Sequence, residues 1–316
     1  MNKAFFINGG AGRTLCSVSA LENYAIDNPN DDFIIVCEGG TDFYKGHPKL
    51  HFRSYDVWHK NLFNEYLKDR QLITPEPYRI WEYYNQKCSI AQAYDIEINN
   101  KGIRKLEIPK IFLSKEELIM ARQMINEVKE KTKKEKVIVF QPFGRVSKKD
   151  NEDFVDVSGR SFEIENTMSL IRQLGKQYGI ILMSEYAIDF AKYQINFPIA
   201  APQQVHVRVW SAVIKMCDHF LGCDSLGQHI ANAFDKTATV VFGSTFPENV
   251  SYPANNKFDI IDMNKDNRIY SPIRITMDEY ADRANEDAMK MDKEVENRIV
   301  QSVQSMIKHG QKKIKK

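Results

Sequence analysis

The sequence predicts an α/β protein of two Rossmann-like domains facing across a cleft, with a C-terminal helix crossing back. Three observations carry this. Short apolar runs alternate with helical patterns along the chain, as layers of strand and helix require. That rhythm halts at the charge run "EVKEKTKKEK" (127–136) and restarts directly after it. The chain then closes on a long charged segment with apolar residues at helical spacing, Met289, Val295, Ile299, Val303 and Met306.

In order, "AFFING" (4–9) reads as a buried strand, Gly9, Gly10 and Gly12 as its turn, and "TLCSVSALENYAI" (14–26) as the first helix. "DFIIVCEGG" (32–40) is a second strand ending in a glycine turn, and "NLFNEYL" and "YRIWEYYNQ" are read as helices around the Pro75–Pro77 turn. "KVIVFQPFG" (136–144) opens the second domain, followed by a helix over 161–178, a strand over 179–185 and an amphipathic helix over 206–217. "HFLGCDS" is the next strand and its turn, "GQHIANAF" a helix start, "ATVVFGS" (238–244) a strand, and 277–308 a long helix. The expected division is 1–130 for the first domain, 135–285 for the second, and 286–316 for the terminal helix and basic tail.

The 316 residues, 43% of them hydrophobic, suffice for two cores. Lys plus Arg is 44 against 42 for Asp plus Glu, so no global basic field favours nucleic acid. Five widely spaced cysteines without a CxxC pair read as reduced thiols and predict a cytoplasmic protein. No run approaches a signal peptide or membrane span. Metal is not expected: there is no Asp-x-Asp at a strand end and no His/Cys cluster with ligand spacing. A dinucleotide site is disfavoured because "NGGAG" lacks the last glycine of G-x-G-x-x-G.

Ligands of parallel sheets bind beyond the carboxyl ends of the strands, so the strand-to-helix turns hold the candidate site. In "FLGCDSLGQH", Asp224, Ser225, Leu226 and Gly227 begin a helix, whose free amides and dipole favour a phosphate. Ser225 adds a hydroxyl, Gly227 permits close backbone approach, and His229 sits in reach of a phosphate or sugar oxygen. Arg13, beside Gly10 and Gly12, suits an anionic group. Lys148, Lys149 and Arg145 follow the strand ending at Gly144, and Arg160 precedes the next helix. The aromatic segment 53–87, with Trp58, His59, Tyr78, Trp81, Tyr83 and Tyr84, is read either as core or as a platform for sugars or bases.

The stretch "CDSLGQHIANAF…TATVVFGSTFPENVSYP" resembles the C-terminal signature of the lipopolysaccharide heptosyltransferases, the family-nine glycosyltransferases of GT-B fold. That family has an Asp-Ser/Thr-Gly turn; here Leu226 intervenes before Gly227, while Phe242-Gly243-Ser244-Thr245 and Pro247 match. "GGAGRTLCSVSAL", "FIIVCEGGTDFYKGHPKL", "VIVFQPFGRVSKKD" and "IILMSEYAID" resemble four further loops of the family in the same order. The resemblance implies a metal-independent transferase moving a sugar from a nucleotide-sugar to an acceptor hydroxyl, with no separate cofactor. It implies donor phosphates at Lys148 or Lys149, and ribose at Glu185.

The family's first loop carries an Asp proposed as catalytic base, and Arg13 stands there in register. The base is therefore sought on neighbouring strand ends, at Glu38 first and Asp42 second, with His59 weaker. A heptosyltransferase-like enzyme with a glycan acceptor is the first reading. A phage-type DNA glycosyltransferase acting on a hydroxymethylated pyrimidine, and a non-catalytic nucleotide-sugar or glycan-binding protein, stay open beside it. The sequence sets no oligomeric state.

Overall fold

The computed structural model describes residues 2–144, 148–150, 153–156, 158–266, 268 and 287–314, with side chains described except at 148–150, 153–155 and 309–314. Contacts divide the chain into two compact units, the first running to Leu113 and the second starting at Ser114.

The first unit contains β1 (Lys3–Ile7), α1 (Ala11–Asp27), β2 (Phe33–Cys37), β3 (Ser54–Asp56), β4 (Gln71–Ile73), the single turn α2 (Trp81–Tyr84) and α3 (Ile90–Asn99). Its sheet is parallel, in the order β3-β2-β1-β4. The chain starts at β1, moves to one side through β2 and β3, and returns to the other side with β4. The reversal leaves a switch point between β1 and β4, where parallel sheets bind ligands. β2 is buried along its whole length, as its unbroken apolar run requires. Phe5, Tyr24 and Phe33 meet edge to face at 4.8–5.9 Å under it.

The aromatic stretch forms less helix than its sequence predicts: a five-residue turn at Phe63–Leu67 and the four residues of α2. The helix of this region is instead α3, started by a capping box in which Ser89 and Gln92 exchange hydrogen bonds.

The second unit contains α4 (Lys115–Thr132), β5 (Val137–Gln141), the antiparallel pair β6 (Lys148–Asp150) and β7 (Asp153–Val155), α5 (Ile164–Leu174), β8 (Gly179–Leu182), α6 (Val207–Met216), β9 (His219–Cys223), α7 (Leu226–Ala233), β10 (Ala238–Phe242), α8 (Pro247–Val250), β11 (Phe258–Asp262) and α9 (Lys293–Ile314). Its parallel sheet runs β11-β10-β9-β5-β8, so the switch point lies between β5 and β9.

The charge run 127–136 is the solvated end of α4, closed by Lys133 in the left-handed region at φ 56°, and the short connection into β5. Only Ala121, Ile125 and Val128 of α4 are buried. Two boundaries differ from the sequence reading. α4 itself falls in the second unit, not the first. The C-terminal helix begins at Lys293, and 277–286 lie outside the described residues. Its Ile299, Val303 and Ile307 join the core of the second unit. Glu296 of α9 accepts from Asn166 and Ser169 of α5, and Ser302 bonds Thr239 of β10, which fixes the helix on that sheet.

All five cysteines are free and buried. No described helix is long and apolar enough to cross a membrane.

Candidate functional site

In the second unit, Gln141 ends β5 and crosses the switch point to the start of α7. Its Oε1 accepts from the Gly227 amide at 2.9 Å, and its Nε2 donates to Ser225 Oγ at 3.1 Å. One side chain thus satisfies one of the helix's free amides and orients the hydroxyl at its N-terminus. Ser225 is the N-cap but makes no side-chain cap bond, and it and Leu226 are half-buried at the end of the helix. Gly227 cannot carry a side chain: a Cβ would stand 2.4 Å from both Gln141 Oε1 and the Phe220 ring.

Asp224 is 5% exposed and faces inward. Its Oδ1 accepts from Gln228 Nε2 at 2.8 Å and its Oδ2 from Thr245 Oγ1 at 2.9 Å. Arg160 Nη1 lies 3.8 Å from the same Oδ2. The carboxylate thereby stands between the start of α7, the loop after β10 and the loop carrying Arg160. His229 likewise turns inward. It is buried, its Nδ1 pairs with Tyr252 Oη at 2.8 Å, and burial pushes its pKa down to about 4, against the opposing pull of Asp224.

The loop before α5 is knit from within. Asp156 accepts from the Ser158 and Ser161 amides and from both hydroxyls. Ser161 Oγ takes the Gly144 amide at 2.9 Å, Ser244 donates to the Ser158 carbonyl at 2.5 Å, and Arg160 Nε donates to Ser158 Oγ at 3.0 Å. The loops after β5 and β10 are thereby bound to the one carrying Arg160. Glu185 is exposed past the end of β8, the strand on the other side of β5. Burial, Glu185 and Asp156 together raise the Tyr186 hydroxyl pKa. Arg145 and the side chains of Lys148 and Lys149 lie outside the described residues; the backbone of Lys148–Asp150 pairs with Asp153–Val155.

In the first unit, two glycine turns meet back to back at the ends of β1 and β2. Gly9 adopts φ +90°, open to glycine alone among common residues. Its amide donates to Glu38 Oε2 at 2.5 Å. A Cβ on Gly39 would lie 2.5 Å from the Gly10 carbonyl carbon and 2.7 Å from the Ala11 nitrogen. Gly10 caps α1 and Gly12 lies in its first turn. Gly39→Ala sets backbone against backbone and is expected to lower stability by roughly 1–3 kcal/mol. Thermal unfolding checks it; a wild-type melting temperature would mean the turns separate freely.

Arg13, half-buried at this turn, packs against the segment after β4 and against α3. Its stem folds over Gly9, its guanidinium stacks 4.7 Å from the Tyr78 ring, its Nε donates to Tyr94 Oη at 3.1 Å, and Glu76 stands 3.7 Å away. Burial would lower its pKa, but Tyr94, Tyr78 and Glu76 carry it above the ordinary value. Arg13 therefore fills the β1/β4 switch point and ties α1 to the segment after β4. Glu97, also beside it, has a raised pKa, caused first by burial. Glu38 is exposed at the end of β2, and Asp42 is half-buried four residues on. His59 is exposed.

The residues missed by sequence reasoning are Gln141, Asp156, Ser158 and Ser244. A polar residue closing the buried run "VIVFQ" and the Asp-x-Ser-x-x-Ser spacing at 156–161 were the available signals. Among the described residues, no group of His, Cys, Asp and Glu is placed to hold a metal.

No protein-family model matches the chain, and no curated protein matches it in sequence. Solved structures do. The family-nine glycosyl transferase of Veillonella parvula superposes with a TM-score of 0.67 at 12% identity, over 98% of this chain and 97% of that one. The ADP-heptose lipopolysaccharide heptosyltransferase II of E. coli gives 0.60 at 10% identity, over 98% and 100%. The chain has their fold. E. coli heptosyltransferase WaaC, solved with ADP-2-deoxy-2-fluoro heptose, gives 0.50 at 13% identity, over 82% and 92%. The GT-B architecture expected from the sequence is thus present over nearly the whole chain.

Proposed function

We propose that the protein is a metal-independent, heptosyltransferase-like glycosyltransferase that takes a nucleotide-sugar in the second unit and a glycan acceptor on the first. The observation that carries this reading is Arg160, held by the buried Asp224 carboxylate beside the α7 N-terminus at the β5/β9 switch point. A guanidinium next to free helix amides and the Ser225 hydroxyl suits the diphosphate of a donor. The fold supports the same reading, since structures that share it include one solved with an ADP-sugar analogue.

In the reaction, the acceptor hydroxyl oxygen attacks the anomeric carbon, and the bond from that carbon to the phosphate oxygen breaks. The nucleoside diphosphate leaves with the electron pair. Arg160 and the α7 amides meet the charge that develops on it, a task metal ions perform in other transferases. Glu38 is the proposed base: it stands at a strand end, fixed by the Gly9 amide. Glu185 is placed for the ribose, with Lys148 or Lys149 as a further phosphate contact.

A thermal-shift series with nucleoside diphosphates and their sugars tests the donor site. One nucleotide is expected to raise the melting temperature of the wild type. Arg160→Gln should weaken its binding roughly 10- to 100-fold, the worth of a charge-assisted hydrogen bond. No shift with any member at millimolar concentration overturns the donor site. Binding without turnover on any glycan acceptor would leave a nucleotide-sugar-binding protein in place of an enzyme.

A further inference from the structure

Gln141 stands where two strands and a helix meet. It lies opposite Gly222 in the pairing of β5 with β9, and the chain beyond β9 turns directly into α7. The side chain is enclosed there. Gln141 is 7% exposed, and its Oε1 crowds Gly227 together with the ring of the wholly buried Phe220. A primary amide withdrawn from water needs partners at both ends.

Its two hydrogen bonds fix which way the amide faces. The Gly227 amide can only donate, so the atom that meets it at 2.9 Å is the carbonyl oxygen. The amino group therefore faces Ser225 Oγ, 3.1 Å away, and it too can only donate. A serine hydroxyl that accepts along this line directs its own proton elsewhere. Among the described residues nothing receives that proton. Ser225 makes no cap bond within α7, and the adjacent Asp224 carboxylate takes Gln228 and Thr245 instead. Ser225 is half-buried, so its proton is available to a ligand at the start of the helix.

We propose that Gln141 is a positioning residue that holds the Ser225 hydroxyl as a donor toward a diphosphate oxygen, a role that rests on the donor-site reading above. With Arg160 and the helix amides, the site then offers donors only, which suits a ligand group that only accepts, the fully ionised diphosphate. A carboxylate of the same shape reverses this polarity. It accepts from Gly227 and from Ser225 alike, the serine proton turns inward, and a negative charge settles at the helix N-terminus where the ligand's charge belongs. Protonating that carboxyl restores the pattern of the amide, one oxygen accepting and the other donating.

The test is isothermal titration of the full chain with inorganic pyrophosphate, and with the nucleoside diphosphate that the melting series selects. Wild type, Gln141→Glu and Ser225→Ala are compared between about pH 4.5 and pH 8, a range into which burial brings the introduced carboxyl. The ratio of variant to wild-type affinity at each pH cancels the ionisation of the probe. Near the upper end, Gln141→Glu should bind roughly 100-fold more weakly than wild type. That deficit should shrink as the pH falls. Ser225→Ala should bind roughly tenfold more weakly throughout, and Gln141→Glu should cost less in its background than alone. Gln141→Glu keeps the Gly227 bond, so melting near the wild-type temperature is expected; if it fails to fold, Ser225→Ala carries the test. A Gln141→Glu deficit that ignores pH, or affinity untouched by Ser225→Ala, overturns the assignment and leaves the donor site standing. A wild type that binds neither pyrophosphate nor any nucleoside diphosphate overturns the donor site and this role with it.

Discussion

Asp224→Ala is expected to lower the melting temperature by roughly 5–15 °C and to abolish the nucleotide-induced shift, although the carboxylate touches no ligand in the proposed site. Three groups depend on it: Gln228, Thr245 and Arg160. Gln228 in turn accepts from Ser251 at 2.8 Å, so the loss reaches a second layer. Removing a buried carboxylate leaves its donors unsatisfied and an arginine without its counter-charge, a cost of about 2–4 kcal/mol. Each kilocalorie corresponds to roughly 2–4 °C in a unit of this size. Asp224→Asn separates the two effects. The amide retains shape and one acceptor, so most stability should return, while Arg160 still lacks its anchor and nucleotide binding stays weak. Calorimetry on the three proteins, with and without the nucleotide, reads both quantities. Wild-type melting in Asp224→Ala would show that the network contributes nothing. A full nucleotide response in Asp224→Asn would show that the charge does not position Arg160.

Asp224 also shows how far the site was legible in the sequence. The turn at 223–227 was found from its pattern, because a strand-to-helix turn with Asp, Ser and Gly has few uses. The direction in which each side chain faces was not. A capping-type Asp reads identically whether it faces a ligand or, as here, an arginine sixty-four residues earlier in the chain. His229 belongs to the same case: its place in the first turns of α7 is legible, but its partner, the Tyr252 hydroxyl, lies twenty-three residues on. Arg13 was recognised as displaced from a family pattern, but its cage of Glu76, Tyr78 and Tyr94 comes from two distant segments. β2, β5 and β10 are legible because they are buried along their whole length and almost wholly apolar, whereas β3, β4 and β11, half-buried or exposed in part, carry no such run and are not legible. α3 and α4 were harder. α4 buries only Ala121, Ile125 and Val128, and both helices are defined at the start by a capping box, a signal four residues long rather than a period.

The capping box of α4 sets the second large effect. Ser114 donates its amide to Glu117 Oε2 at 2.7 Å, and the Glu117 amide donates to Ser114 Oγ at 3.1 Å. The same Glu117 carboxylate receives Arg208 of α6: Nε to Oε1 at 2.5 Å and Nη2 to Oε2 at 3.0 Å. Arg208 is 2% exposed, so the pair is shielded from solvent and screened little by salt. Arg208→Ala removes one partner of a buried pair and is expected to destabilise by about 3–5 kcal/mol. Replacing both residues by methionine should cost less than the two single changes summed.

The pH dependence distinguishes this pair from packing. Burial would raise the Glu117 pKa, but the Arg208 hydrogen bonds and the Ser114 amide outweigh it and hold the pKa below the ordinary value. A carboxylate depressed on folding contributes stability that is complete above its unfolded pKa, about 4.3, and is lost as the pH falls through the lower folded value. The gap in unfolding free energy between wild type and Arg208→Ala should therefore be constant at neutral pH and narrow below about pH 4, since only the wild type loses the ion pair on protonation. Denaturant titrations at several pH values measure it. A gap that stays constant into the acid range would mean that Arg208 stabilises α6 through packing of its stem, with the charge of Glu117 immaterial.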